Sequence, residues 1–542
     1  MGIRLKEVGI YRELSVQPAS SKNVQLIKDW IEVCLSKHKP CCKLRAAMQQ
    51  DTKRRPKRLV KLNGRNNPVL VDLPNCQEDF NDTIKYIALS YCWGQNESLR
   101  TVTENLELYR ASGFRLTEAP QTIQDAIGVC LLLGIHYVWI DRLCIVQDDD
   151  AEWEDEAAKM GDIYQYSFLT VVASSAASAE HGFLRDRNPF QTQDCVLSWP
   201  SEKGTYDAVK ISPVSWTDEE SLNWNPVGKR GWTFQERHLP PRIVHFTERQ
   251  LLWECPWTKS SEASPHHSFS RIPNIVNIHR LIDHLAWDIS DGEKLGSGDH
   301  FRWMMVITQY SQRNLSKSKD KLTALSGLAA MTSKLSGIID DEYLAGVWKR
   351  DLIRQILWYS PSDGVLSLRR PGEYRAPSWS WAALDGEIRF HLYDEQYPNA
   401  VAPQLLEANV SLAGNNIYGP VTAGSIHLHC LLRFILNGEG GYVWFEGPAF
   451  FRDQVRSNVY HVLDEQGHRH GRLSFDTSLV PVDKAFLLRM WESEKDHHIY
   501  ALVVFLEGDV DDMCFKRIGW AKLTIEAKRW FEEGELTDIT LL

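Results

Sequence analysis

Two rhythms of hydrophobic and polar positions alternate along the first half of the chain. In "NVQLIKDWIEVCLSKH" (23–38), Val24, Ile27, Trp30, Ile31 and Leu35 fall on one helical face. "NPVLVDL" (67–73), "IKYIALSY" (84–91), "IHYVWID" (135–141) and "SFLTVVASS" (167–175) are short apolar runs, the last two typical of strands buried on both faces. Helices separate them. "PQTIQDAIGVCLLLG" (120–134) aligns Ile123, Ala126, Ile127 and Cys130, with Pro120 suited to a first turn and Gly134 to a C-cap needing positive φ. Trp153, Ala157, Met160 and Tyr164 mark the next helix, opened by Asp149 and Glu152 at capping-box spacing. This alternation predicts an α/β fold with a parallel sheet.

Beyond residue 257 the pattern becomes helical, in "HRLIDHLAWDI" (279–289), "HFRWMMVITQYSQRNL" (300–315), "DKLTALSGLAAMTSKL" (320–335) and "YLAGVWKRDLIRQILWYS" (343–360). From about 376 strand signals dominate: "SIHLHCLLRFIL", "HIYALVVFL" and "RIGWAKLTI", with a Gly-rich turn "NGEGG" (437–441) and a short helix expected at "EAKRWFEE". The expected organisation is an N-terminal region (1–83), an α/β domain (84–256), a helical region (257–358) and a β-rich C-terminal domain (359–542).

Composition narrows the class. The 542 residues are 43% hydrophobic with net charge −10, which argues against a chain-wide nucleic-acid or anionic-membrane surface. The basic run "KRRPKRLVK" (53–61) reads as a solvated loop, with a localisation signal or anion site as alternatives. Eleven scattered cysteines without a C-x-x-C pair read as reduced intracellular thiols. "MGIRLKEVGIYREL" is too charged for a secretory signal, and Lys6 stands where a myristoylation motif wants Ser or Thr. The longest apolar stretch (126–140) is broken by Gly134 and His136 and is short for a span of about 20 residues, so a soluble cytoplasmic protein is expected. Twenty tryptophans predict an aromatic-rich core.

The ordered set "YIALSYCWG" (86–94), "PQTIQDAI" (120–127), "LGIHYVWIDRLCIVQDD" (133–149), "WEDEAAKMGDIY" (153–164), "RGWTFQERHLPPRIVHF" (230–246) and "LLWEC" (251–255) resembles the fungal heterokaryon-incompatibility (HET) domain family. "YLAGVWKRDLIRQILW" and "APSWSWAALDG" (376–386) look like segments that follow this domain in stand-alone members. Two positions depart from the family pattern: Val146 where an acidic residue is usual, and Arg142 where a small one is. The resemblance implies nonself recognition leading to regulated cell death, protein partners in that signalling and action as a homo-oligomer; on the charge balance and the short apolar stretch no nucleic-acid or membrane partner is expected. It also implies a distant likeness to the TIR (Toll/interleukin-1 receptor) fold, many members of which hydrolyse NAD⁺ with one glutamate. A non-enzymatic signalling scaffold, or recruitment to small-molecule metabolism, are alternatives.

By that resemblance Glu236 is the catalytic candidate, since it follows Trp232 at the interval of the TIR pattern W-C-x-x-E. A fixed carboxylate suits the oxocarbenium-like ribosyl cation left when nicotinamide departs. The competing reading is a buried ion pair with Arg230, Arg237 or Arg242. Asp141 ends a strand, where open α/β sheets bind ligands; it could hold ribose hydroxyls or cap its loop. Ser90, Trp93, Gly94, Arg142, Gln147 and Trp232 complete the candidate ligand-binding set, with packing as the alternative for Ser90 and Trp93. Cys144 has no histidine nearby in sequence and reads as a buried apolar residue. Trp379 and Trp381 alternate with polar residues as in a strand and read as core. No dinucleotide fingerprint, Walker A motif or nucleophile elbow is present. The pairs His266–His267 and His497–His498, and "HRH" at 468–470, lack companion ligands, so neither a metal nor a bound cofactor is expected, with NAD⁺ as the substrate to test.

Overall fold

The computed structural model describes residues 12–42, 55–63, 67–73, 84–95, 99–192, 195–200, 206–211, 222, 225–265, 298–335, 342–361, 368–391, 403–435, 444–446, 459–463, 469–477, 485–493, 497–532, 534 and 536–542. The chain forms two compact units, 1–293 and 294–542.

The strands of the first unit are β1 (Arg58–Lys61), β2 (Val69–Asp72), β3 (Tyr86–Ser90), β4 (Tyr137–Trp139), β5 (Leu169–Val172), β6 (Cys195–Pro200), β7 (Tyr206–Ile211), β8 (Ile243–Phe246), β9 (Leu251–Glu254) and β10 (Lys259–Ser261). Its helices are α1 (Ser21–Lys37), α2 (Leu106–Ala111), α3 (Gln121–Leu133), α4 (Asp141–Cys144), α5 (Asp150–Gln165), α6 (Pro189–Thr192) and α7 (Thr233–His238). Eight strands form one sheet in the order β10-β9-β8-β5-β3-β4-β1-β2, and β6 pairs with β7 separately. β4, β3, β5 and β8 run parallel, while β1 and β9 continue the sheet antiparallel on either side. Every residue of β3 and β5 is buried, as expected of strands covered on both faces. Parallel neighbours need long crossovers, and α3 and α5 lie in those from β3 to β4 and from β4 to β5.

The predicted helix boundaries hold. Pro120 precedes α3, and Gly134 ends it with φ 75° and its N–H on the Leu131 carbonyl. Ile123, Ala126, Ile127 and Cys130 are fully buried. Asp149 caps α5 by accepting from the Glu152 N–H at 3.0 Å. The Glu152 carboxylate does not close the capping box. It accepts from the Val146 N–H at 2.9 Å and pairs with Lys57 (2.5 Å) and Arg58. Over its described part (55–61), this corrects the solvated-loop reading of the basic run 53–61: Arg58, Leu59 and Val60 are buried in β1, because Arg58 finds Glu152 and the Cys144 carbonyl (3.1 Å). The buried face of α1 is also rotated, to Asn23, Leu26, Ile27, Trp30 and Cys34. A polar residue enters the core there because Asn23 donates to Glu262 (3.0 Å) and the Pro18 carbonyl (3.1 Å).

The second unit carries α8 (Gly298–Ser311), α9 (Thr323–Leu335), α10 (Leu352–Gln355) and α11 (Lys528–Glu532). Its main sheet has nine strands: β15 (Gln404–Leu412), β16 (Val421–Ile435), β17 (Trp444–Glu446), β18 (Val459–Leu463), β19 (Arg469–Phe475), β20 (Ala485–Ser493), β21 (His498–Leu506), β22 (Cys514–Thr524) and β23 (Leu536–Leu541). The β-rich expectation and the short helix at 528–532 are borne out. "HRLIDHLAWDI" and "NGEGG" lie outside the described residues.

The helical reading of 343–360 fails. A tight hairpin, β11 (Tyr343–Leu344) with β12 (Val347–Trp348), leads to α10 and then to β13 (Trp358–Tyr359), which pairs with β14 (Arg389–Phe390). Ala345 (φ 45°) and Gly346 (φ 105°) both adopt the positive φ that such two-residue turns require. Trp379 and Trp381 are fully buried as predicted, but in a turn and a 3-10 segment rather than a strand. The indoles of Trp303 (2.9 Å) and Trp381 (3.0 Å) converge on the Gly346 carbonyl, which fixes this local geometry. No helix among the described residues is long and apolar enough to cross a membrane.

A Cβ at position 346 would stand 2.6 Å from the Trp381 indole nitrogen, whereas one at Gly372 would meet nothing within 4 Å. Gly346→Ala is therefore expected to destabilise the chain by about 2 kcal/mol and Gly372→Ala to leave it within roughly 0.5 kcal/mol. Chemical denaturation of the two variants checks the contrast.

Candidate functional site at the ends of the parallel strands

Glu236 sits on α7, a short helix whose every residue is buried. The loop before it is held by Thr233, whose hydroxyl lies 2.6 Å from the Val227 carbonyl and 2.8 Å from that of Arg230. Arg230 in turn donates to the Tyr91 carbonyl just beyond β3. These contacts bring Glu236 to the carboxyl ends of the parallel strands. Its carboxyl group meets the hydroxyls of Ser90, the last residue of β3, and Tyr164 on α5, with the Arg230 guanidinium and the Asp141 carboxylate close by.

Glu236 is only 5% exposed. Burial raises its pKa from the ordinary 4.5 to about 7; the nearby Asp141 charge pushes the same way, and the Ser90 and Tyr164 hydrogen bonds and Arg230 oppose the rise. The Tyr164 hydroxyl also lies 2.9 Å from the Leu89 carbonyl, so its single proton has two acceptors when Glu236 is ionised. A protonated Glu236 relieves that competition by donating.

Of the three arginines that could have claimed this carboxylate, Arg230 acts on it. Arg237 forms a two-point pair with Glu254 at 2.9 and 2.8 Å. Arg242 donates to the Phe168 carbonyl at 2.7 Å and lies 5.1 Å from the centre of the Phe168 ring.

Asp141 opens α4 and uses both oxygens locally. One accepts from the Arg142 N–H at 2.7 Å and the other from the Trp93 indole at 2.6 Å. Burial raises its pKa, opposed by the Trp93 hydrogen bond. The Arg142 guanidinium lies 4.7 Å from the Trp93 ring centre, and Gln147 donates to the Asp141 (3.1 Å) and Ile145 (3.0 Å) carbonyls. Trp93, Asp141, Arg142 and Gln147 thus form one loop lock. The two departures noted in the sequence belong to it or flank it: Arg142 covers Trp93, and Val146 is buried with its N–H on Glu152.

Gly94 (φ 75°) permits a close backbone approach, since a Cβ there would lie 2.7 Å from Ser178 Cβ. Trp232 packs edge-on against Trp153 at 6.2 Å. Cys144 is buried, its sulfur accepts from the Ile140 N–H (3.5 Å), and burial pushes its thiol up to about 12, which leaves it inert. Ser90, Asp141 and Glu236 are therefore brought together from separate segments, while Trp93, Gly94, Arg142, Gln147 and Trp232 support the surrounding loops. Tyr164 was legible only as a core-facing position. A tyrosine on a buried face needs a partner for its hydroxyl, and that signal points inward to this cluster.

A family model described as heterokaryon incompatibility protein (HET) matches residues 86–236, which begins at β3 and ends at Glu236. The chain is 32% identical over 97 residues to heterokaryon incompatibility protein 6, OR allele, of Neurospora crassa, a match covering 16% of this chain and 14% of that protein. No solved structure matches.

The pKa of Glu236 has a consequence for stability. Because the folded-state value lies above 4.5, the cost of the buried charge is absent at low pH, grows as pH rises towards about 7 and is constant above it. Glu236→Gln is expected to be more stable than wild type near pH 8 by up to about 3 kcal/mol, with the advantage almost gone near pH 4. Denaturant unfolding of both proteins at the two pH values checks this.

Proposed function

Residues 86–236 make this chain a member of the heterokaryon incompatibility (HET) domain family, and we propose that it acts in fungal nonself recognition, with Glu236 as the reacting carboxylate of a TIR-like NAD⁺ hydrolase that triggers regulated cell death. The observation that carries this reading is the convergence of Glu236, Ser90 and Asp141 at the carboxyl ends of β3 and β4. Numbered by their order in the chain, the parallel strands lie in the order 2-1-3-4 across the sheet. This is the doubly wound arrangement in which ligands bind where strand order reverses, at β3 between β4 and β5. Trp232 and Glu236 keep the interval of the TIR pattern, with Glu236 in a helix that starts right after the tryptophan.

In that reaction the bond between ribose C1′ and the nicotinamide nitrogen breaks, and its electron pair leaves with the nitrogen, which becomes neutral. An ionised Glu236 stabilises the ribosyl cation. Water then adds to C1′, and its proton passes to Glu236 or to solvent. Since Glu236 is 5% exposed, substrate entry requires the loops around Asp141 to open, which self-assembly of the domain would supply. Ionisation near pH 7 makes the rate rise with pH through that value.

The same burial, with Arg230 beside the carboxylate, favours a second reading: a non-enzymatic signalling module that Glu236 only holds in shape. One pair of experiments separates them. Concentrated or crowded wild-type protein is expected to cleave NAD⁺, and Glu236→Gln to lose at least about 100-fold of that rate while still folding. If wild type leaves NAD⁺ intact and Glu236→Gln kills cells as wild type does, the scaffold reading replaces the enzymatic one.

A further inference from the structure

Four soft donor side chains converge in the first unit, away from the Glu236 cluster. The Sγ atoms of Cys34, Cys41 and Cys255 and one imidazole nitrogen of His38 all lie within 4.8 Å of one another. Cys34 is on the last turns of α1, His38 is the residue that ends it, Cys41 follows in the next helical turn, and Cys255 is the first residue after β9. All four are buried, Cys34 completely, and the three cysteines are free thiols.

From this convergence we propose that Cys34, His38, Cys41 and Cys255 bind one Zn²⁺ as a closed tetrahedral Cys₃His site. The spacing C-x₃-H-x₂-C supplies three ligands from one short segment, and the β9–β10 turn supplies the fourth across more than two hundred residues of chain. The geometry fits. The distance from Cys255 Sγ to His38 Nδ1 is 3.5 Å. Zn–S bonds of about 2.3 Å and Zn–N bonds of about 2.0–2.1 Å at tetrahedral angles place such atoms about 3.6 Å apart.

Ordinary core packing does not explain the cluster. Apolar side chains would fill the space without turning three sulfurs and a ring nitrogen to one point, and a disulfide would use two sulfurs and strand the other two groups. A zinc with three thiolates carries a net negative charge, and Arg242 lies close enough to Cys34 to hydrogen-bond its sulfur. Four protein ligands with no open position make the site structural rather than catalytic. It clips α1 to the β9–β10 edge of the sheet, where Trp30 already packs on Trp253 of β9 at 5.8 Å.

The test uses the full chain, purified without chelator from zinc-supplemented culture and assayed by elemental analysis. About one zinc per chain is expected, and cobalt exchanged into the wild-type protein should show the ligand-field and thiolate charge-transfer bands of a tetrahedral sulfur-rich site. Cys255→Ser should retain less than about a fifth of the metal, while Cys514→Ser keeps all of it. Because the cobalt spectrum is read on wild type, a variant that fails to fold leaves the test intact. Folded wild type with less than about a tenth of a zinc per chain and no cobalt uptake after thiol reduction overturns the proposal. So does a disulfide among the three cysteines in freshly purified protein.

Discussion

A carboxylate placed out of water at the ends of parallel strands sets the terms for everything around it. Burial alone makes the charged form of Glu236 costly, so the fold must supply hydrogen bonds and a counter-charge or let the group take up a proton. It does some of each. Ser90 and Tyr164 offer hydroxyls and Arg230 a positive charge, but Asp141 adds a second acid, and the balance leaves the pKa near 7. That balance depends on three strands and two helices arriving together. Ser90 ends β3, Asp141 follows β4, Tyr164 faces inward from α5, and α7 delivers Glu236 just before β8.

The segment 229–242 distributes its charges one by one. Arg230 faces Tyr91 and Glu236, Arg237 pairs with Glu254, and Arg242 binds the Phe168 carbonyl and stands beside Cys34. Glu254 also receives His245 (3.0 Å) and Lys259 (3.3 Å), so burial, which would raise its pKa, is overcome and it stays well below the usual range. Glu236 and these three arginines thus form one framework inside the first unit. It links the carboxyl cluster at one end to the thiol–imidazole cluster at the other.

How much of this was legible in the sequence follows the range of the interactions. Local rules worked: Gly134 and Asp149 bound their helices, and the apolar runs at 86–90 and 169–172 are buried strands. Rules that depend on distant partners failed. Arg58 in a basic run reads as solvated until Glu152, far along the chain, is brought to it. The stretch 343–360 has helical spacing, yet the convergence of Trp303 and Trp381 on the Gly346 carbonyl holds a hairpin there. Tryptophan spacing at 379–381 gave burial correctly and conformation wrongly, because side-chain demand does not specify backbone. Cys34, His38 and Cys41 were close enough in sequence to notice, but Cys255 completes the set only in space.

The cluster turns on the protonation equilibrium of one side chain, and infrared difference spectroscopy reads it directly. The carboxyl C=O band present in wild type and absent in Glu236→Gln should disappear with a midpoint near pH 7 as pH is raised. A midpoint in the ordinary range near 4.5 would contradict it, since Glu236 would then be solvated or fully neutralised by Arg230 rather than poised between charge and burial.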